Sequence, residues 1–308
     1  MYNSEFNIKD ISIGHYTDEK NGTGSTVIIA KKGAVVGVSV RGSAPGTRET
    51  DLADPKNAVT HANAVLLTGG SAFGLDSSAG VMQYLEQRNM GFKTKEAYVP
   101  IVLGAVLYDL GYKSSKIRPD KESGYKACQD AKEKNFLQGS IGAGTGATCG
   151  KIFGSKKAVK SGLGVAAVKL GGGIYVAAVF AANPLGDIYD FKKNELIAGI
   201  ESPTTSKIFI EGLAGFLTPN KGENTTIGTI ITNAKLTKAE ANKLADIAHD
   251  GIAMAVRPCH TMFDGDTVFA LSTDKFKCNI NRVLVAATEV AAMAIANSVY
   301  SLEESKKV

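Results

Sequence analysis

β-Rich runs recur along this 308-residue chain with helical patterns between them, and a layered α/β arrangement is the one that buries both kinds of apolar face. Residues 25–30, 34–40, 64–67, 164–169, 174–181, 226–231 and 267–272 read as strands, from period-two alternation or continuous apolar stretches. Between them, residues 72–88 follow a small-residue turn and carry Leu75, Ala79, Met82 and Leu85 at helical spacing. Thr237 and Glu240 form a capping-box signature. The helix it opens has Ala241, Leu244, Ala245, Ala248 and Ile252 on one face and is expected to end before Pro258. Residues 283–300 are so rich in Ala and Val that this last helix is expected between other elements. No repeat or low-complexity linker divides the chain, so residues 1–308 are read as one domain.

The composition narrows the function classes. Hydrophobic residues make up 44% and charged residues 21%, enough for a substantial core. The net charge of +5 comes from scattered Lys and Arg, and residues 113–134 mix Lys with Asp and Glu as a solvated face would. With no Trp and 7% aromatics, neither a basic footprint nor a stacking platform marks a nucleic-acid partner. The longest apolar stretch, 165–182, is interrupted by Lys169 and Gly171 to Gly173, so no membrane span is expected. Cys128, Cys149, Cys259 and Cys278 lie far apart, and His15, His61, His249 and His260 form no His-x-x-x-His pair. Neither a metal centre nor a disulfide framework is expected. The first ten residues are polar, which favours a cytoplasmic location.

Two glycine segments have the outline of known motifs but miss their spacing. Residues 142–151 place five residues between Gly144 and Gly150 and follow Lys151 with Ile152, unlike a phosphate loop, so a close-packed turn is expected. Ser71, in Gly69-Gly70-Ser71-Ala72-Phe73-Gly74, stands one place off a nucleophile elbow, and the segment reads as a glycine turn opening a helix. His249, at the edge of its helix's apolar face, reads as a boundary residue. The sharper constellation is Asn224-Thr225-Thr226 at the end of a polar loop, 218–224, with Asp264-Gly265-Asp266 downstream. A threonine hydroxyl needs a base, and cutting the peptide bond before it frees an α-amine whose pKa near 8 suits that work. Asn-Thr-Thr also occurs by chance and Asp-Gly-Asp is commonly a turn, so the residues alone leave both readings open.

Taken together, segments in the same order resemble the DmpA-type family of L-aminopeptidase/D-esterases, β-peptidyl aminopeptidases and nylon-oligomer hydrolases. They are residues 41–51, 67–76, 142–151, 183–187, 224–228 and 264–267. The resemblance implies an αββα four-layer sandwich like that of N-terminal nucleophile hydrolases. It also implies self-cleavage into 1–224 and 225–308, pieces that stay associated within a homotetramer, without metal or organic cofactor. By this resemblance Thr225 is the nucleophile, Asn224-Thr225 the cleaved bond, and Asp264 and Asp266 the acidic pair of the nylon-hydrolase branch. Asn183 corresponds to the asparagine that stabilises the oxyanion, and Lys151 to a lysine that lowers the charge cost at the nucleophile. Thr226 is the alternative nucleophile if the register shifts by one; Tyr108 lies where the local sequence departs and is left unassigned.

The expected activity is hydrolysis of short peptides, amino-acid amides or ω-amino-acid oligomers through an acyl-threonine. Two alternatives are an acyltransferase like ornithine acetyltransferase, and a non-enzymatic binding protein using the 142–151 loop as a phosphate cradle.

Overall fold

The computed structural model describes residues 4–213 and 222–304. Its architecture turns on one strand that is too long for a single layer. Strand β1 (Ile11–Asp18) hairpins into β2 (Thr23–Val40), whose 18 residues would span about 60 Å if straight. β2 bends at Lys31 to Gly33, where its register with β3 (His61–Thr68) shifts between Ile29 and Ala34. Gly33 supplies the left-handed backbone, φ +75°. The two runs expected as separate strands, 25–30 and 34–40, are thus two arms of one bulged strand.

Each arm belongs to a different layer. The first arm pairs with β1 and β3, and β3 continues to β4 (Val102–Val106) and the two-residue edge Thr47–Arg48. The second arm runs antiparallel to β8 (Thr267–Phe276). That layer continues through β7 (Thr225–Ala234), β6 (Ile174–Asn183) and β5 (Leu163–Leu170). The described residues therefore form a nine-stranded sheet folded in two. Val65, Leu67 and Leu103 from one layer meet Val179, Ile227, Ile231 and Phe269 from the other.

Helices seal both outer faces. On α1 (Ser77–Glu86) and α2 (Lys121–Asp130), Val81, Leu85, Ala127 and Cys128 pack on Val27, Ile29 and Leu66. On α3 (Lys238–Ala255) and α4 (Ile280–Glu304), Leu244, Ala248, Ala287 and Ile295 pack on Phe180, Ile230 and Val268. The result is the αββα sandwich. Helix α3 opens with the expected capping box between Thr237 and Glu240 and ends at Ala255, two residues before Arg257. It is also the crossover between the parallel strands β7 and β8.

Strands β1 and β4 and helix α2 lie outside the runs read from sequence, as do the short strands Asp187–Asp190 and Glu195–Ala198 and the short helix Thr205–Ile210. β4 is five residues long and wholly buried, so it has no alternation to read. The solvated face expected over 113–134 is half of α2: Glu122 and Lys126 are exposed, while Gly124, Ala127 and Cys128 are buried. Among the described residues, Ile280–Glu303 is the helix long and apolar enough to cross a membrane, and its buried face is part of the core.

Candidate active site

The second layer brings three chain segments to one end of the sandwich. Antiparallel pairing sets Asn183, the last residue of β6, opposite Thr225, the first of β7. Parallel pairing sets Asp266, just before β8, beside them. Thr225 and Asn183 share the face between the two layers, because Thr226 pairs with Ala182 and points toward the helices. Thr226 is fully buried there, and its hydroxyl has no partner. Of the two threonines, Thr225 is therefore the one on the face shared with Asn183.

Asp264-Gly265-Asp266 grips the chain on both sides of the Asn224-Thr225 bond. The Gly265 N–H donates to the Asn224 carbonyl at 2.8 Å, and the Thr225 hydroxyl donates to the same oxygen at 2.5 Å. One residue on, the Thr226 N–H donates to Asp266 Oδ1 at 2.6 Å. Gly265 has no room for a side chain, since a Cβ would stand 2.4 Å from the Ala44 carbonyl and 2.9 Å from Thr225 Oγ1. Asp264 accepts from the Thr261 backbone at 2.9 Å and hydroxyl at 2.6 Å through one oxygen, and from the Leu185 amide at 3.3 Å through the other. Burial, and next the neighbouring Asp266, raise Asp264 to about 6.

Lys151 and Asn183 form the opposite wall. Lys151 Nζ donates to Asn183 Oδ1 at 2.7 Å, to the Asn183 carbonyl at 2.8 Å and to the Glu223 carbonyl at 3.2 Å. Burial pulls this lysine down to about 7, against the opposing charges of Asp264, Glu223 and Asp109. Asn183 Oδ1 also accepts from the Thr148 amide at 3.0 Å, which fixes the flip of the side chain. Its Nδ2 therefore carries the donors; one reaches the Tyr108 carbonyl at 3.0 Å, and a second N–H remains for another acceptor. The expected site residues Thr225, Asp264, Asp266, Asn183 and Lys151 are all buried at this one end.

The crevice beside them, lined by Tyr108, Thr148, Lys151, Ser155 and Glu223, holds only ≈ 10 Å³, about one water. A larger groove of ≈ 450 Å³ lies between α1 and α2, around Asp76, Gln83 and Tyr125, away from these residues. Tyr108, unassigned from sequence, lines the crevice; burial, and then the Glu223 carboxylate, raise its phenol.

The glycine segments take structural roles. Gly142 adopts φ +52°, and the Gly144 Cα lies too close to Leu163 for any side chain, a Cβ standing 2.0 Å from its amide nitrogen. Gly70, at φ +84°, opens the turn Ser71–Asp76 that leads into α1. His249 departs from expectation. It is not a boundary residue but is fully buried, its Nε2 on the Ser39 carbonyl at 3.0 Å and its ring edge-to-face with His260. His260, six residues before Asp266, has Nδ1 2.6 Å from Asp266 Oδ2. No spacing rule in the sequence marked this histidine, because its relation to Asp266 is made by a loop. Of the polar loop at 218–224, residues 218–221 lie outside the described residues. Among the described residues no group of His, Cys, Asp and Glu is arranged to hold a metal ion.

A buried hydroxyl, two carboxylates, an amide and an ammonium around one peptide bond are the groups of an amide hydrolase that uses a side-chain nucleophile. The model of peptidase family S58 matches residues 3–307, and the chain belongs to this family. An uncharacterized aminopeptidase of Mycobacterium leprae is 40% identical over 291 residues, covering 88% of this chain and 78% of its own. A 6-aminohexanoate-oligomer endohydrolase of a Kocuria species is 32% identical over 301 residues, covering 94% and 82%. The L-aminopeptidase D-Ala-esterase/amidase of Ochrobactrum anthropi superposes with a TM-score of 0.71 at 18% identity, over 96% of this chain and 85% of that one. That likeness gives the fold, a variant of the N-terminal nucleophile hydrolases. The chain is a hydrolase of the aminopeptidase kind, and the matches give the acyltransferase alternative no support.

Proposed function

We propose that the chain cuts itself between Asn224 and Thr225 into 1–224 and 225–308, and then hydrolyses small amides with Thr225 as nucleophile. One observation carries this reading: the Asn224 carbonyl accepts from both the Gly265 amide and the Thr225 hydroxyl. The hydroxyl is beside the bond, and a backbone donor is already in place for the charge that would develop on that oxygen. In the first step Thr225 Oγ1 bonds to the Asn224 carbonyl carbon, the C–N bond breaks, and the hydroxyl proton ends on the freed nitrogen. Water then hydrolyses the ester, leaving the Asn224 carboxylate and a free Thr225.

In turnover the Thr225 amine takes the hydroxyl proton as Oγ1 attacks the substrate carbonyl. The free N–H of Asn183 and the Lys151 ammonium stabilise the oxyanion; Asp264 and Asp266 hold the Thr225 end. The leaving amine departs with the proton, and water releases the acyl group. Departure of Glu223 would widen the small crevice at Tyr108 and Lys151, which supports acyl groups of short peptides, amino-acid amides or 6-aminohexanoate oligomers as occupants. Sequence similarity to both an aminopeptidase and an oligomer hydrolase supports this range. The same reading includes a homotetramer of cut units in the cytoplasm. The exposed Ile210 and Met262, next in sequence to the stacked Phe209 and Phe263, together with the exposed Leu213, support a contact between copies.

Intact-mass spectrometry of the purified protein tests the cut. Two pieces, the smaller beginning Thr-Thr-Ile, are expected from the native chain, and one uncut, inactive chain from Thr225→Ala. An uncut native chain that hydrolyses amides would sink the mechanism.

A further inference from the structure

Two histidines behind the acidic loop are unused by this mechanism, yet they are built onto it. Asp266 Oδ2 accepts from the His260 backbone N–H at 3.2 Å and lies 2.6 Å from His260 Nδ1. His260 adopts φ +56°, a conformation that non-glycine residues take only when their surroundings impose it. Its ring meets that of His249 edge-to-face at 4.8 Å.

The tautomers follow from the partners. Ser39 offers His249 a carbonyl, which only accepts, so the His249 proton sits on Nε2 and its Nδ1 is an acceptor. His260 directs Nδ1–H at Asp266. That leaves His249 Nδ1 and His260 Nε2, both buried and not hydrogen-bonded to each other. Burial alone would lower His260, but the hydrogen bond to Asp266, with Cys259 second, raises it to about 10. Burial lowers His249 to about 4. A neutral His249 therefore backs a cationic His260, whose positive charge faces Asp266. The other titratable groups in reach are Asp264 beside Asp266, Cys259 beside His260, Lys151 toward Asp264, and Arg41 toward His249. Arg41 is already held by Asp246 and Asp250.

We propose that His260, backed by His249, is a positioning residue for the reaction: it fixes the Asp266 carboxylate on the Thr226 amide and so sets where Thr225 stands in the site. The reason lies in what the cut removes. In the intact chain this end of β7 is tethered to the acidic loop twice, through Asn224 to Gly265 and through Thr226 to Asp266. Once Asn224 is released, the Asp266 tether remains, and its aim depends on His260.

The inference rests on Thr225 as nucleophile, and its test separates the two. Full-length His260→Leu and His260→Asn are compared with the native chain and Thr225→Ala. The readouts are the self-cleavage rate by intact mass, kcat and KM on L-alanine p-nitroanilide across pH, and thermal unfolding. In His260→Leu both self-cleavage and kcat fall, by about 10- to 100-fold, the loss expected when a reacting group is misplaced by about 1 Å. KM stays nearly constant. His260→Asn keeps an N–H near the Nδ1 position and regains part of the rate. With the positive charge gone, Asp264 rises further and the acid limb of its pH profile moves upward.

A leucine variant that cuts itself and turns over like the native chain overturns the proposal. So do equal losses in both variants with an unmoved acid limb. Should the leucine variant not fold, a folded asparagine variant with native kcat and an unmoved acid limb overturns it alone. Thr225→Ala that still cuts itself overturns the nucleophile reading. An uncut Thr225→Ala beside a native-like His260→Leu overturns only the positioning role.

Discussion

At the scale of single residues, Asn224, Thr225 and Gly265 form a small device around one carbonyl. Because a Cβ on Gly265 would strike the Ala44 carbonyl and crowd Thr225 Oγ1, Gly265→Ala must shift the loop that donates to Asn224. Its self-cleavage is expected to slow by about 10²-fold, the scale of losing an oxyanion donor, as a mass time course would show. The pH dependence belongs to Asp264. Burial, with Asp266 next to it, has raised this carboxyl to about 6, so its charged form is present above that pH and lost below it. If the carboxylate is the working form, kcat/KM falls as pH drops through about 6. A profile flat from pH 5 to 8 would remove Asp264 from the mechanism. The five candidate site residues could be named from the order of short motifs in the sequence. Their contacts were not, since Lys151 and Asn183 stand 32 positions apart and meet through folding.

Among the elements, helices dock on the second layer at positions without side chains. A Cβ on Gly164 would stand 1.8 Å from the Ala294 carbonyl of α4. Gly164→Ala should therefore cost about 1–3 kcal/mol through overpacking, measurable by urea unfolding. Removing the capping box of α3 with Thr237→Ala should cost about 1 kcal/mol, because the Glu240 amide loses its side-chain acceptor. A cost near zero in either variant would mean that the helix end or contact is not seated as described. The long elements were readable because period-two and period-3.6 patterns persist over many residues. β4 and α2 escaped because one is buried on every side and the other mixes charges with a narrow small-residue stripe.

Across the whole molecule, the cut need not loosen the sandwich. β7 begins at the proposed cut and then lies between β6 and β8, with every one of its ten residues buried. The pieces 1–224 and 225–308 are thus expected to elute together from size exclusion under native conditions and to separate only in denaturant. Separation in native buffer would contradict the shared core. The chain's own chemistry determined a good deal: the alternation of strand and helix, the cap at Thr237, and a threonine after an asparagine with two aspartates downstream. These are local, and neighbouring residues are enough to express them. Tertiary structure decided the rest. The bend that carries β2 from one layer to the other, the pleat that turns Thr225 rather than Thr226 to the face of Asn183, and the pairing of His260 with Asp266 all depend on register. Register is set by which apolar faces can be buried together, and that is a property of the packed layers rather than of any one segment.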